Sequence, residues 1–221
     1  MSPFSTVISA AVLLLFSLMP VSLRAEQPAL NSEVQIKQPI ELVFVDSPKI
    51  SVPGFAKRLA GRPSPWLEIE VTFDIERNPD PKGPKFAEEL TFNYYVLLKN
   101  EQFTEDKKPT LLTGSIVHVD VPLEKGRHSV AFVSPKALAR FFEGRTPSSA
   151  QQTVTDVGVT ISGKKGLLAI ATSKGTVKGD KGWWDTDLYT KTQGSLLNKN
   201  ETPFAPLEWD FFEAIKPKSG N

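Results

Sequence analysis

The residues with a claim to chemistry are few. His118 and His128 are the two histidines of the chain, and Asp120 lies close to the first. A zinc-type site would need such ligands to converge at about 2 Å from one ion. Alternation places Val117, Val119 and Val121 on one face and His118 on the other, which predicts an exposed strand histidine. A turn at Lys125-Gly126 would set His128 opposite Leu123, away from His118. No metal and no cofactor is expected. The carboxylates Glu68, Glu70, Asp74 and Glu76 point the same way from one strand, as a solvated sheet face does. Glycosidase chemistry instead needs two carboxyls facing each other across about 5 to 10 Å. Gly158-Val159-Thr160-Ile161-Ser162-Gly163-Lys164 mimics a phosphate loop, but Lys165 stands where Ser or Thr would hold magnesium. Its β-branched centre reads as a strand. The sequence contains no Gly-x-Ser-x-Gly elbow, and the pattern as a whole predicts a protein that is not an enzyme.

One segment invites a binding role. In Gly179-Asp180-Lys181-Gly182-Trp183-Trp184-Asp185-Thr186-Asp187-Leu188-Tyr189 two adjacent tryptophans are followed by acids and a tyrosine. Trp183, Trp184, Asp185 and Tyr189 form the candidate binding set, able to stack on sugar rings or anchor a protein partner. The alternative is packing, with one indole plugging the end of a sandwich and the other shielding a loop. Adjacent strand residues face opposite ways, so at most one of the pair belongs to a core.

Positioning these residues falls to β structure. The chain has 221 residues, 40% hydrophobic and 23% charged, with 26 Lys+Arg, 25 Asp+Glu and no Cys. That is globular usage, and the balanced charge argues against a nucleic-acid binder. The lack of cysteine removes disulfides, thiol nucleophiles and a lipoprotein anchor. Trp66 to Glu76 gives the cleanest period-2 signal, with Leu67, Ile69, Val71, Phe73 and Ile75 on its apolar face. Leu90 to Lys99 follows with Phe92, Tyr94, Val96 and Leu98 on one face. Thr110–Val121 and Arg127–Val133 read as a hairpin closed at Gly126, and Thr153–Ser162 and Gly166–Ser173 as another. Ile40 to Asp46 and Leu207 to Ile215 are further apolar runs. One helix is expected from Ser134 as N-cap and Pro135 in the first turn to Gly144. About eight short strands and one short helix predict an all-β fold, an immunoglobulin-like antiparallel β-sandwich, with a barrel as the alternative.

The start of the chain carries an address. Val7 to Met19 is apolar apart from two serines, Pro20 breaks the run, and Leu23-Arg24-Ala25 offers a cleavage site before Glu26. Residues 1–25 therefore read as a signal peptide, although residues 1–10 lack Lys and Arg. Cutting there leaves 196 of the 221 residues, and because only Arg24 is lost from the charged set, the remainder is charge-balanced. Residues 26–39 read as an extended leader, 40–216 as the sandwich domain and 217–221 as a tail. The protein is expected in the periplasm or on the outer surface of a Gram-negative-type bacterium, with no membrane span after cleavage.

Together the signal peptide, the cysteine-free sandwich, the Ser134-Pro135-Lys136-Ala137-Leu138-Ala139-Arg140-Phe141-Phe142 helix and Trp183-Trp184-Asp185 resemble a small exported immunoglobulin-like protein of verrucomicrobia, of the Akkermansia type. That protein is associated with a type IV pilus-like assembly. The resemblance spans roughly residues 40–215 and implies a cell-envelope location and a role through contact with other proteins; it carries over no catalytic residue. Three function classes follow: an accessory or structural component of a pilus-like or secretion assembly, a carbohydrate-binding module for mucin or polysaccharide using Trp183, Trp184 and Tyr189, and a hydrolase using the acidic stripe.

Overall fold

A computed structural model describes residues 34–48, 65–76, 80–145, 147–174, 177 and 181–217. The predicted signal peptide, most of the leader and the last residues of the tail lie outside these. The described residues form two five-stranded sheets packed face to face. The first holds β1 (Val34–Ile36), β2 (Glu41–Val45), β3 (Trp66–Ile75), β6 (Arg127–Val133) and β10 (Leu196–Asn198). The second runs β8 (Gly166–Thr172), β7 (Val154–Gly163), β4 (Phe86–Leu98), β5 (Thr110–Pro122), β9 (Thr190–Gln193). The order β3-β6 in one layer and β8-β7-β4-β5 in the other, with β3→β4, β5→β6 and β6→β7 crossing between layers, is immunoglobulin-type connectivity. β1 and β2 share the outer edge of β3, pairing with its two halves in turn. Three residues read as leader thus join the sandwich.

The core is where the period-2 pattern puts it. Leu67, Ile69, Val71 and Phe73 on β3 and Phe92, Tyr94, Val96 and Leu98 on β4 are fully buried. Phe73 meets Phe92 between the sheets with centroids 4.9 Å apart. A chain without cysteine has no covalent tie between sheets, so this apolar contact must do that work. The β7–β8 hairpin forms as expected. So does the helix α1 (Pro135–Phe141): Ser134 Oγ accepts the Ala137 N–H, and Gly144 follows at φ 79°. A one-turn helix, α2 (Ala150–Thr153), was not anticipated.

Two expectations change. β5 and β6 are no hairpin: β5 pairs with β4 and β6 with β3, so the Gly126 turn carries the chain from one sheet to the other. Leu207 to Ile215 is not a strand but a run of turns, with an isolated bridge from Ile215 to His118. Glu213 N–H donates to the His128 carbonyl on β6, and Val119 N–H on β5 donates to the Ala214 carbonyl. The C-terminal segment thereby stitches the two sheets together along one side.

Truncating a buried phenylalanine costs about 3 to 5 kcal/mol, and an exposed ion pair is worth about 0 to 1. Phe73→Ala is expected to fall in the first range and Glu88→Ala, which breaks the exposed pair to Lys164, in the second. Urea denaturation of both variants checks the register, and equal costs would refute it.

Candidate functional site

The two outer faces of the sandwich carry the residues singled out by the sequence. On the β4/β7 face, Gly158 and Tyr95 are cross-strand partners. A glycine there leaves a bare patch of backbone, and Trp184 fills it. Its indole stacks on Tyr95 at 4.4 Å and 7°. A Cβ on Gly158 would lie 2.0 Å from that ring, and one on Gly182 would lie 2.2 Å away. Both glycines therefore serve as the socket for the indole. Trp184 is 3% exposed and packs with Leu97 and Leu111. Trp183 and Tyr189 are half-buried, each edge-on to the next ring at 5.4 and 5.8 Å. Trp183 Nε1 is buried without a partner. Asp185 is exposed, as are Asp187 and Leu188. Of the four predicted site residues, Asp185 alone is open to solvent, and Trp184 is a packing residue.

His118 is also reversed. It is 1% exposed and points between the sheets, edge-on to Phe92. Its Nδ1 sits 3.1 Å from the Glu213 carbonyl, which can only accept, so Nδ1 carries the proton. Nε2 then accepts from the Ser129 hydroxyl at 2.7 Å, and Ser129 Oγ accepts from Tyr94 OH at 2.8 Å. Burial pushes the His118 pKa down to about 4, against its hydrogen bonding to the Glu213 and Ala214 backbone, which acts to raise it. A serine donating to a neutral histidine resembles a nucleophile pair, yet Ser129 and His118 are sealed in the core. The pair is a structural tie. Among the described residues no group of three His, Cys, Asp or Glu could hold a metal ion.

The β2/β3/β6 face holds Glu41, Glu68, Glu70 and His128. Glu70 accepts from His128 Nδ1 at 2.7 Å. Burial first, then the neighbouring charges of Glu70, Glu208 and Glu41, push the Glu68 pKa up to about 7. Glu68 and Glu70 stand side by side on one strand, not across a cleft. Asp74, further along, is buried and pairs with Lys37 at 2.6 Å.

Over this face lies an arm, residues 204–213. Phe204 stacks on Phe132 at 4.8 Å and meets Trp66 edge-on, filling the apolar end of the sheet. Lys199 Nζ holds the Ala205 and Leu207 carbonyls and sits over the Phe212 ring. Phe211 stacks on His128 at 4.0 Å, and Arg127 grips Glu213 at 2.5 Å. What the arm leaves in water is Leu207 at 40%, Phe211 at 45% and Trp209 at 76% exposure. Sequence reading took this stretch for a strand. The signal against that is the loss of alternation: Trp209 and Phe211 would fall on one strand face and Phe212 on the other, leaving neither face polar.

The fold defines an all-β sandwich protein of immunoglobulin type. A protein-family model matches residues 25–219, and the chain belongs to that family. No curated protein matches the sequence. Among solved structures, the crystal structure of a protein from Akkermansia muciniphila is similar, with TM-score 0.69 and 23% identity over 85% of this chain and 95% of that one. The Akkermansia-type resemblance therefore holds at the level of the fold.

Two outcomes are expected. Gly158→Ala should expel Trp184 and destabilise by about 1 to 3 kcal/mol, the usual cost of overpacking, with a changed near-ultraviolet circular dichroism signal. An unchanged aromatic signal would refute the socket. For pH, His118 has its folded pKa below its unfolded value, so its contribution, about 3 kcal/mol, is lost as pH falls from about 6.5 to 4. Glu68 acts oppositely: its folded pKa is raised, so the fold gains as pH falls from about 7 towards its ordinary value. Glu68→Gln should lose stability more steeply than wild type between pH 7 and 4.5. Parallel curves from denaturant titrations at each pH would rule this out.

Proposed function

We propose that this is a non-catalytic, exported cell-envelope protein that works through protein contacts, as an accessory or structural component of a pilus-like or secretion assembly. The observation that carries the reading is the Leu207–Phe211 arm. Exposed indole and phenyl rings are costly to leave in water, and binding hot spots are enriched in tryptophan. Trp209 keeps an open ring while the arm around it is fixed by Lys199, Phe204 and Glu213. Export is supported by the apolar run at Val7–Met19 and by a family match that starts at residue 25. The absence of catalysis is supported by the sealing of Ser129 and His118 and by the parallel aim of Glu68 and Glu70. A glycan-binding role centred on Trp184 has less support, since its indole is 3% exposed and stacked on Tyr95.

Cross-linking in envelope preparations tests the reading. Trp209→Ala/Phe211→Ala should abolish the cross-linked species that the wild type forms, with the circular dichroism spectrum of the fold intact. A folded double variant that keeps every cross-link would sink it.

A further inference from the structure

The arm lies over a face of one charge sign. Glu41 on β2 is the cross-strand partner of Glu70 on β3, Glu68 follows two residues along, and Glu208 comes from the arm itself. Nearby donors are engaged: His128 Nδ1 is on Glu70, and Lys199 Nζ is turned onto the arm's carbonyl oxygens. Burial, and after it the charges of Glu70, Glu208 and Glu41, raise the Glu68 pKa, so these four carboxyls lie within electrostatic reach of one another. Val43, exposed, is paired across strands with Glu68, and Trp209, 76% exposed, follows Glu208 directly in the arm.

An open indole next in the chain to a carboxylate that reaches an acidic sheet face is an arrangement that can recognise an organic cation. The ring face attracts it, the carboxylates take its N–H groups, and apolar neighbours cover its methylene stem. We propose that this surface docks a basic segment of a protein partner, with an Arg or Lys side chain laid on Trp209 and its head group against Glu68 and Glu41. The inference deepens the contact reading above and rests on it. A second copy of the chain fits poorly, because a two-fold contact through this patch would bring acid against acid.

Fluorescence anisotropy on the full exported chain tests the chemistry, using a short labelled peptide of alternating Arg and Leu and its Glu-for-Arg counterpart. The Arg peptide should bind, more weakly as salt rises, and the Glu peptide should not. Trp209→Ala and Glu68→Gln should each weaken binding about tenfold or more, as removal of a hot-spot contact does. Leu167→Ser, an exposed apolar position on β8, should leave it unchanged. Equal binding of the two peptides, or wild-type affinity in folded Trp209→Ala, would overturn the inference. So would a dimer in sedimentation that Trp209→Ala abolishes, which would assign the arm to a second copy. If the Arg peptide fails to bind while the envelope cross-link still depends on Trp209 and Phe211, the basic partner falls and the contact reading stands; loss of both removes both.

Discussion

A chain of hydrogen bonds crosses the dry interior and fixes how the sheets and the C-terminal segment sit together. It runs from Tyr94 on β4 through Ser129 on β6 and His118 on β5 to the Glu213 carbonyl. Its direction is set from one end: the carbonyl can only accept, so every proton along the chain has one place to be. In an apolar interior each of these groups would be costly alone, and together they are satisfied. The consequence reaches beyond the core. Because His118 and the β5 backbone hold residues 213 and 214, and Arg127 holds the Glu213 carboxylate, the preceding residues are delivered over the β2/β3/β6 face. The surface arm is thus an extension of the core network.

How far the sequence reveals this depends on which rule governs each residue. β3 was legible because its apolar residues alternate with mostly polar ones along its whole length, so alternation alone determined which face joins the core. The helix was legible because its signals are local: a serine cap, a proline in the first turn, a glycine at the end. His118 was misread for a reason that can be located. Asp120 sits at φ 52°, in the left-handed region, and the strand changes face there. Val121 points inward on one side of that kink, while Ile116 and His118 point inward on the other. Alternation carried back from Val121 through Val119 and Val117 therefore assigns the wrong face. Asp tolerates that conformation better than most residues, but nothing in its neighbours announces it.

The β5–β6 connection was misread for a related reason. A short turn with glycine between two apolar runs has the same local chemistry whether the strands pair or part. Here the partners are distant: β3 claims β6, and β4 claims β5, each over a long antiparallel register. Nonlocal pairing decided the topology, and the turn conformed to it.

The two aromatic segments show why a site cannot be read from composition. Trp183-Trp184 and Trp209 are similar as sequence, each amid acids and near other rings. Their fates differ because of what lies beneath them. The β4/β7 face offers a glycine beside a tyrosine, a gap shaped for an indole, and Trp184 occupies it. On the opposite sheet the apolar end is already filled by Phe204 against Phe132 and Trp66, and the remaining positions are Glu41, Glu68, Glu70 and His128. Phe211 finds the histidine ring; Trp209 finds no apolar socket and stays in water. Burying it on this face would require desolvating carboxylates, of which Glu68 already shows the strain in its raised pKa. A partner that brings positive charge with it removes that obstacle, since the group that covers the indole also neutralises the acids around it.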